Sequence, residues 1–151
     1  MLTSHSNKAL YDQDFYLWIE TTVKLLRERK LEELDIENLL EEIDSMGRSE
    51  KKELKTRLIV LIEHLLKLQY WQAEKDDNAR GWRNTVIEQR RQIIYTLADS
   101  PSLKSILNDL YLGCYTDARN DTLRKYQLPS ELFPEQPPFS LLQVLNADFL
   151  P

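Results

Sequence analysis

From Leu34 to Trp71, apolar residues return at helical spacing around a sparse set of charged ones. Leu40, Gly47, Leu54, Leu61 and Leu68 follow one another at seven-residue steps, with Ile36 and Ile43 on one flank and Leu58 and Leu65 on the other. A glycine inside a helix costs about 1 kcal/mol relative to alanine, yet a turn at Gly47 would break this register. The pattern therefore predicts one long helix from Ile36 to about Tyr70, straight or bent at Gly47. The competing reading is two helices with Ser49 as the second cap, but Lys52 at the third position makes no capping box. Asp35 stands where it can cap the first turn, Leu34 can close on Leu39 as a hydrophobic staple, and Glu37 suits the helix dipole. Small Gly47 would permit a close helix crossing or the approach of another chain.

Before this helix, Leu10, Asp14, Leu17, Trp18, Thr21 and Leu25, widened by Phe15 and Ile19, predict a first helix ending near Arg29. Residues 1–9 are polar and expected to fray. After it, Gln72 to Arg80 reads as a polar connection. Trp82, Val86, Gln89, Ile93 and Leu97 mark a third helix with Asn78 as its candidate cap. Ser100-Pro101 reads as a restart, a capping hydroxyl before a first-turn proline. Leu103, Ile106 or Leu107, Leu110, Cys114 and Ala118 then form the apolar face of a fourth helix to about Lys125. Prolines 129, 134, 137 and 138 make Gln127 to Pro138 non-helical. Phe133 and Phe139 are placed to pin that segment, and Ser140 to cap a short last helix with Phe139 packing on Val144. The sum is an all-α fold: an irregular bundle of about four main helices, one of them long, with a proline-rich tail and a short C-terminal helix. Residues 10–151 read as a single helical domain that includes the docked tail.

Composition narrows the function classes. The 151 residues are 42% hydrophobic and 30% charged, an ordinary balance for a globular chain. Three glycines suit few of the turns a many-stranded sheet needs. The net charge of -5 disfavours broad nucleic-acid binding. Cys114 is the sole cysteine, which excludes an intrachain disulfide. No signal-like or membrane-spanning run is legible, so the expected location is the cytoplasm.

Several side chains carry candidate chemistry. His64 lies beside the Leu61/Leu68 stripe; a structural hydrogen-bonding role is favoured over a general base or ligand. Glu41, Glu42 and Asp44 supply carboxylates, but on a straight helix Glu42 and His64 stand about 33 Å apart. No HExxH or paired Glu-x-x-His pattern occurs, and no metal or cofactor is expected. Glu63 and Lys67 have the spacing of a surface ion pair. Arg83 and Arg90 share a face of the third helix, with Arg80 and Arg91 nearby. They suit pairing with the acidic stretch Glu32–Asp44, within the chain or across subunits, better than an anion site. Tyr115 and Arg119 form another polar pair, best read as fastening helices. Trp71 and Trp82 read as packing anchors, and Cys114 as a buried structural thiol.

Taken together, these segments resemble the DUF29 family of small helical bacterial proteins, over roughly Tyr11 to the C-terminus. The resemblance rests on Tyr11-Asp12-Gln13-Asp14 with Trp18, Leu34-Asp35 leading to Asn38 and Glu41-Glu42-Ile43, and Met46-Gly47-Arg48-Ser49-Glu50. It continues through His64-Leu65-Leu66-Lys67, Trp82, Arg90, Pro101-Ser102-Leu103, Tyr115-Thr116-Asp117-Ala118-Arg119 and the proline-rich tail. It implies an all-helical fold and carries no catalytic residue. Its polar signature, Asp35, Glu42, His64, Lys67, Arg90 and Arg119, joined by Tyr115, traces either a shared pocket or a hydrogen-bonded scaffold.

The expectation is a helical protein-interaction or small-ligand-binding module. It homodimerises through the long helix, which at about 35 residues outreaches the others; an unidentified protein partner is the other candidate. A hydrolase-like or phosphate-directed enzyme using His64 with Glu42 or Arg90 stands as one alternative. A nucleic-acid-associated or antitoxin-like regulator using Arg80, Arg83, Arg90 and Arg91 is the second.

Overall fold

Asp14 divides what the apolar stripe reads as one first helix. In the computed structural model, which describes residues 4–151 with side chains from Asn7 onward, Asp14 takes an extended backbone (φ -151°, ψ 88°). Its amide closes α1 (Ser4–Gln13) on Leu10 O, and its carboxylate caps α2 (Phe15–Arg27) by accepting from the Leu17 amide at 3.0 Å. A capping aspartate satisfies an otherwise free amide, and here that local bond outweighs continuity of the stripe. α1 begins at Ser4, inside the segment expected to fray. α2 ends with Arg29 in the left-handed region (φ 59°), its amide bonded to Leu26 O and that of Lys30 to Leu25 O, a Schellman closure.

A 3-10 turn, Leu31–Glu33, leads to α3 (Ile36–Tyr70), which keeps the expected bounds and runs through Gly47 without interruption. Among the described residues, nothing beyond the adjoining turns of α3 itself lies within 4 Å of where a Gly47 Cβ would stand, so the chain makes no close crossing there. Only Trp71 separates α3 from α4 (Gln72–Asp99). The expected polar connection at Gln72–Arg80 is therefore corrected: it is the first part of a helix. Its Gln, Ala, Glu, Lys and Arg residues are good helix formers with no proline among them. Asn78 caps nothing; its amide donates back to Glu74 O at 2.9 Å. The restart at Ser100 is corrected too. Ser100 serves as the C-cap of α4, and α5 (Leu103–Lys125) begins after a turn through Pro101 and Ser102, with no side-chain cap. Gln127, also left-handed at φ 53°, ends α5 by the same closure as Arg29.

The tail behaves as its prolines dictate, with one 3-10 turn at Ser130–Leu132. Ser140 starts α6 (Leu141–Leu145) with a full capping box: its hydroxyl accepts from the Gln143 amide at 3.1 Å, and the Gln143 side chain returns the bond to the Ser140 amide at 2.9 Å. The described residues are helical without strands, an all-α fold.

Contacts divide the chain into two compact units, with the boundary between Ser49 and Glu50 inside α3. In the C-terminal unit, Leu54, Leu58, Leu61, Leu65 and Leu68 of α3 pack with Val86 and Ile93 of α4, Leu107, Cys114, Tyr115 and Ala118 of α5, and Phe133, Phe139 and Val144 of the tail. Among the described residues of the N-terminal unit, the buried apolar side chains are Trp18, Leu25 and Leu34.

Candidate functional site

The polar signature sorts into three separate arrangements. Two of them lie in the C-terminal unit.

In the N-terminal unit, Asp35 is buried and forms a hub. One carboxylate oxygen accepts from Trp18 Nε1 at 3.2 Å and Asn38 Nδ2 at 2.6 Å; the other faces the Asn38 amide at 3.4 Å. A cap expected to serve only its own helix thus also ties down the indole of α2. Glu42 accepts from the Tyr11 hydroxyl, and that bond is the first cause raising the Tyr11 pKa to about 12. Tyr11 and Phe15 flank Trp18 at ring separations of 4.9 and 5.7 Å. The stripe position of Trp18 and the capping place of Asp35 were legible; the indole-to-carboxylate bond, joining distant positions, was not.

In the C-terminal unit, four side chains clasp main-chain carbonyls of the tail. Arg90 donates from Nε to Val144 O at 2.8 Å and from Nη2 to Phe149 O at 2.9 Å. Arg119 donates to Phe133 O at 3.2 Å and Ser130 O at 2.8 Å. The Tyr115 hydroxyl donates to Pro134 O, and Tyr111 to Phe139 O. Burial pushes the Tyr115 pKa up to about 12 and raises that of Tyr111, while it lowers that of Arg90. These phenols therefore stay protonated as donors. The expected pairing of Arg90 with the acidic stretch is corrected within the chain: its partners are carbonyls. A tail with prolines at 129, 134, 137 and 138 has too few amides to bond its own carbonyls, so side chains from the helices supply the donors. Tyr111 escaped the sequence reading, although Tyr111, Tyr115 and Arg119 recur every four residues along α5. Arg80 and Arg83 make no ion pair among the described residues, and Arg91 pairs with Glu88.

The third arrangement surrounds Lys67. This lysine is buried rather than joined to Glu63 in a surface pair. Its Nζ lies 3.2 Å from the Tyr126 hydroxyl, 4.8 Å from the centre of that ring and 5.7 Å from the Trp82 ring. The faces of the aromatic rings attract the cation and replace the carboxylate. Trp71 stacks on Trp82 at 5.8 Å and tilts against Tyr126 at 5.0 Å, which fits packing anchors. Outside this box, Trp71, Glu74, Asn78, Trp82 and Tyr126 line an open groove of about 360 Å³. One turn before Lys67, His64 Nδ1 bonds to Val60 O at 2.8 Å, so that nitrogen carries the proton and the ring is held within its own helix. Burial is the main cause lowering the His64 pKa; the same effect raises that of its neighbour Glu63. Cys114 is buried and its thiol pKa is raised by burial, the opposite of an activated nucleophile.

His64 and Glu42 therefore each have a partner within their own unit, and neither is bonded to an arginine among the described residues. Among the described residues, no three His, Cys, Asp or Glu side chains gather as a metal site. No helix is long and apolar enough to cross a membrane.

Comparison with curated proteins and with solved structures gave no match. A family model described as "Domain of unknown function DUF29" matches residues 10–150, nearly the whole chain. The chain belongs to the DUF29 family.

Proposed function

We propose that this chain is a protein-interaction module that homodimerises through the apolar face of its N-terminal unit. One observation carries the reading: between Phe15 and Met46, eleven large apolar side chains are exposed, against three buried among the described residues of the same unit. On α2, Trp18, Thr22 and Leu25 point inward while Phe15, Ile19 and Val23 point out. On α3, Ile36, Leu40 and Ile43 form an outward stripe that leads to Gly47, where nothing obstructs close approach. Monomers rarely leave apolar patches of this kind uncovered, and a small unit with a sparse core gains stability by association.

The charge of the unit sets how such a dimer responds to salt. Through Ser49 there are eleven acidic and six basic side chains, so the unit carries a net -5. Two like-charged faces repel less when screened. Self-association should therefore strengthen as salt rises from about 0.05 to 0.5 M.

Light scattering coupled to size exclusion tests the proposal. The expected result is a dimer that the double substitution Leu40→Glu, Ile43→Glu converts to a monomer with unchanged helical content. A wild-type chain that stays monomeric at all concentrations overturns the reading.

A further inference from the structure

In the C-terminal unit, α4 and the tail form a second groove, of about 190 Å³, lined by Ile87, Arg90, Arg91, Ile94, Tyr95 and Ala147. Ile87, Ile94 and Tyr95 are exposed apolar side chains. Arg90 differs from them: it is 3% exposed, yet its Nη1 has no hydrogen-bond partner. Its two bonds to tail carbonyls both use the Nε/Nη2 edge of the guanidinium. The second edge, Nη1 with the remaining Nη2 proton, has no described partner. No carboxylate pairs with Arg90 among the described residues, since Glu88 pairs with Arg91. A buried guanidinium bonded only to carbonyls keeps its full charge, which is costly without a counter-ion.

The free edge has the fork geometry that takes a carboxylate through two parallel bonds. The walls beside it suit hydrocarbon. A cavity of about 150 Å³ holds a benzene, so this groove has space for one ring with a short acid arm. A phosphate would bring more charge and more acceptors than one buried guanidinium and apolar walls can serve. We infer that the α4–tail groove binds a small organic carboxylate with an apolar body, its oxygens on the free edge of Arg90 and its hydrocarbon against Ile87, Ile94 and Tyr95. Nη1 makes no contact with solvent, so the groove must open further for the acid to reach it. This inference is independent of self-association and concerns a different unit.

Phenylacetate is the probe, and its neutral isostere phenylacetamide is the control. Each is titrated into the full chain while backbone amides are followed by NMR. A ligand of this size binds in about the millimolar range. Saturable shifts are expected at residues 87–95 and at Ala147, with phenylacetamide at least about tenfold weaker because a charge-assisted pair is lost. The Ile94→Trp variant fills the groove from an exposed position. It should keep the folded spectrum and lose the shifts. Absence of saturation by about 20 mM phenylacetate, well above that range, overturns the inference. So does equal binding of acid and amide, or binding that survives in Ile94→Trp.

Discussion

Among the described residues, the C-terminal unit buries sixteen apolar side chains in one cluster, whereas the N-terminal unit buries three and exposes eleven large ones. Charge divides in the same way. Beyond Ser49, fourteen acidic and fourteen basic side chains cancel, so the net -5 of the chain resides before it. One unit therefore completes its own core and balances its own charge. The other does neither. The same helical stripe on α3 runs through both, which teaches that a periodic apolar pattern gives a helix its face without saying what will cover it.

The largest expected effect breaks this contrast at the core. Leu61→Ala, at a position with no exposure, should cost about 2–5 kcal/mol by lost burial and a residual cavity. Leu40→Ala, on the outward stripe of the same helix, should change the stability of the monomer by less than about 0.5 kcal/mol. Urea unfolding of dilute samples compares them directly; equal losses would mean the two faces are covered alike.

That contrast also marks what could be read from the chain alone. The long helix was legible from cap to end, because Leu34-Asp35 and four heptad steps all agree on one phase. The core positions Leu54 to Leu68 followed from the same register. Asp14 was not legible as a break, since it falls on the apolar stripe and its capping role depends on one local bond. The segment Gln72–Arg80 was misread because exposed helices and loops share a polar composition. The polar signature was visible as residues, but its partners were not. Arg90, Arg119 and Tyr115 bond to main-chain carbonyls far along the chain, and a carbonyl leaves no trace in the residue type. Lys67 was misassigned for a related reason: an ion pair at spacing four is a local rule, and the aromatic box that displaced it is tertiary.

A smaller effect sharpens the account of the tail. Arg119→Met should cost about 1.5–3 kcal/mol, as expected for hydrogen bonds from a charged donor. It should raise hydrogen exchange at residues 130–133 while leaving the N-terminal unit unchanged. Uniform deprotection would show that the clasp supports more than the tail.

The smallest effect is a pH dependence confined to the C-terminal unit. Burial holds the folded pKa of His64 below the usual 6.5, so on acidification the unfolded chain binds the proton first. The stabilising contribution is whole above pH 6.5 and is lost as pH falls from there through the folded value. His64→Gln should flatten that stretch of the stability profile, read from urea midpoints between pH 5 and 7.5. Glu63, with a raised pKa, works in the opposite sense: its contribution is lost as pH rises above 4.5. An unchanged slope in His64→Gln would assign the dependence elsewhere.

The clasps on the tail have a consequence for how the sequence can drift. Arg90, Tyr111, Tyr115 and Arg119 grip oxygens that every residue possesses. The tail is thus recognised as a shape, with Phe133, Phe139 and Val144 as its buried anchors. Between Phe133 and Phe139 the intervening residues are free to be rewritten, provided the replacement keeps its length and its reluctance to form a helix. A foreign peptide spliced between those two phenylalanines would offer the same side-chain donors the same kind of main-chain oxygens.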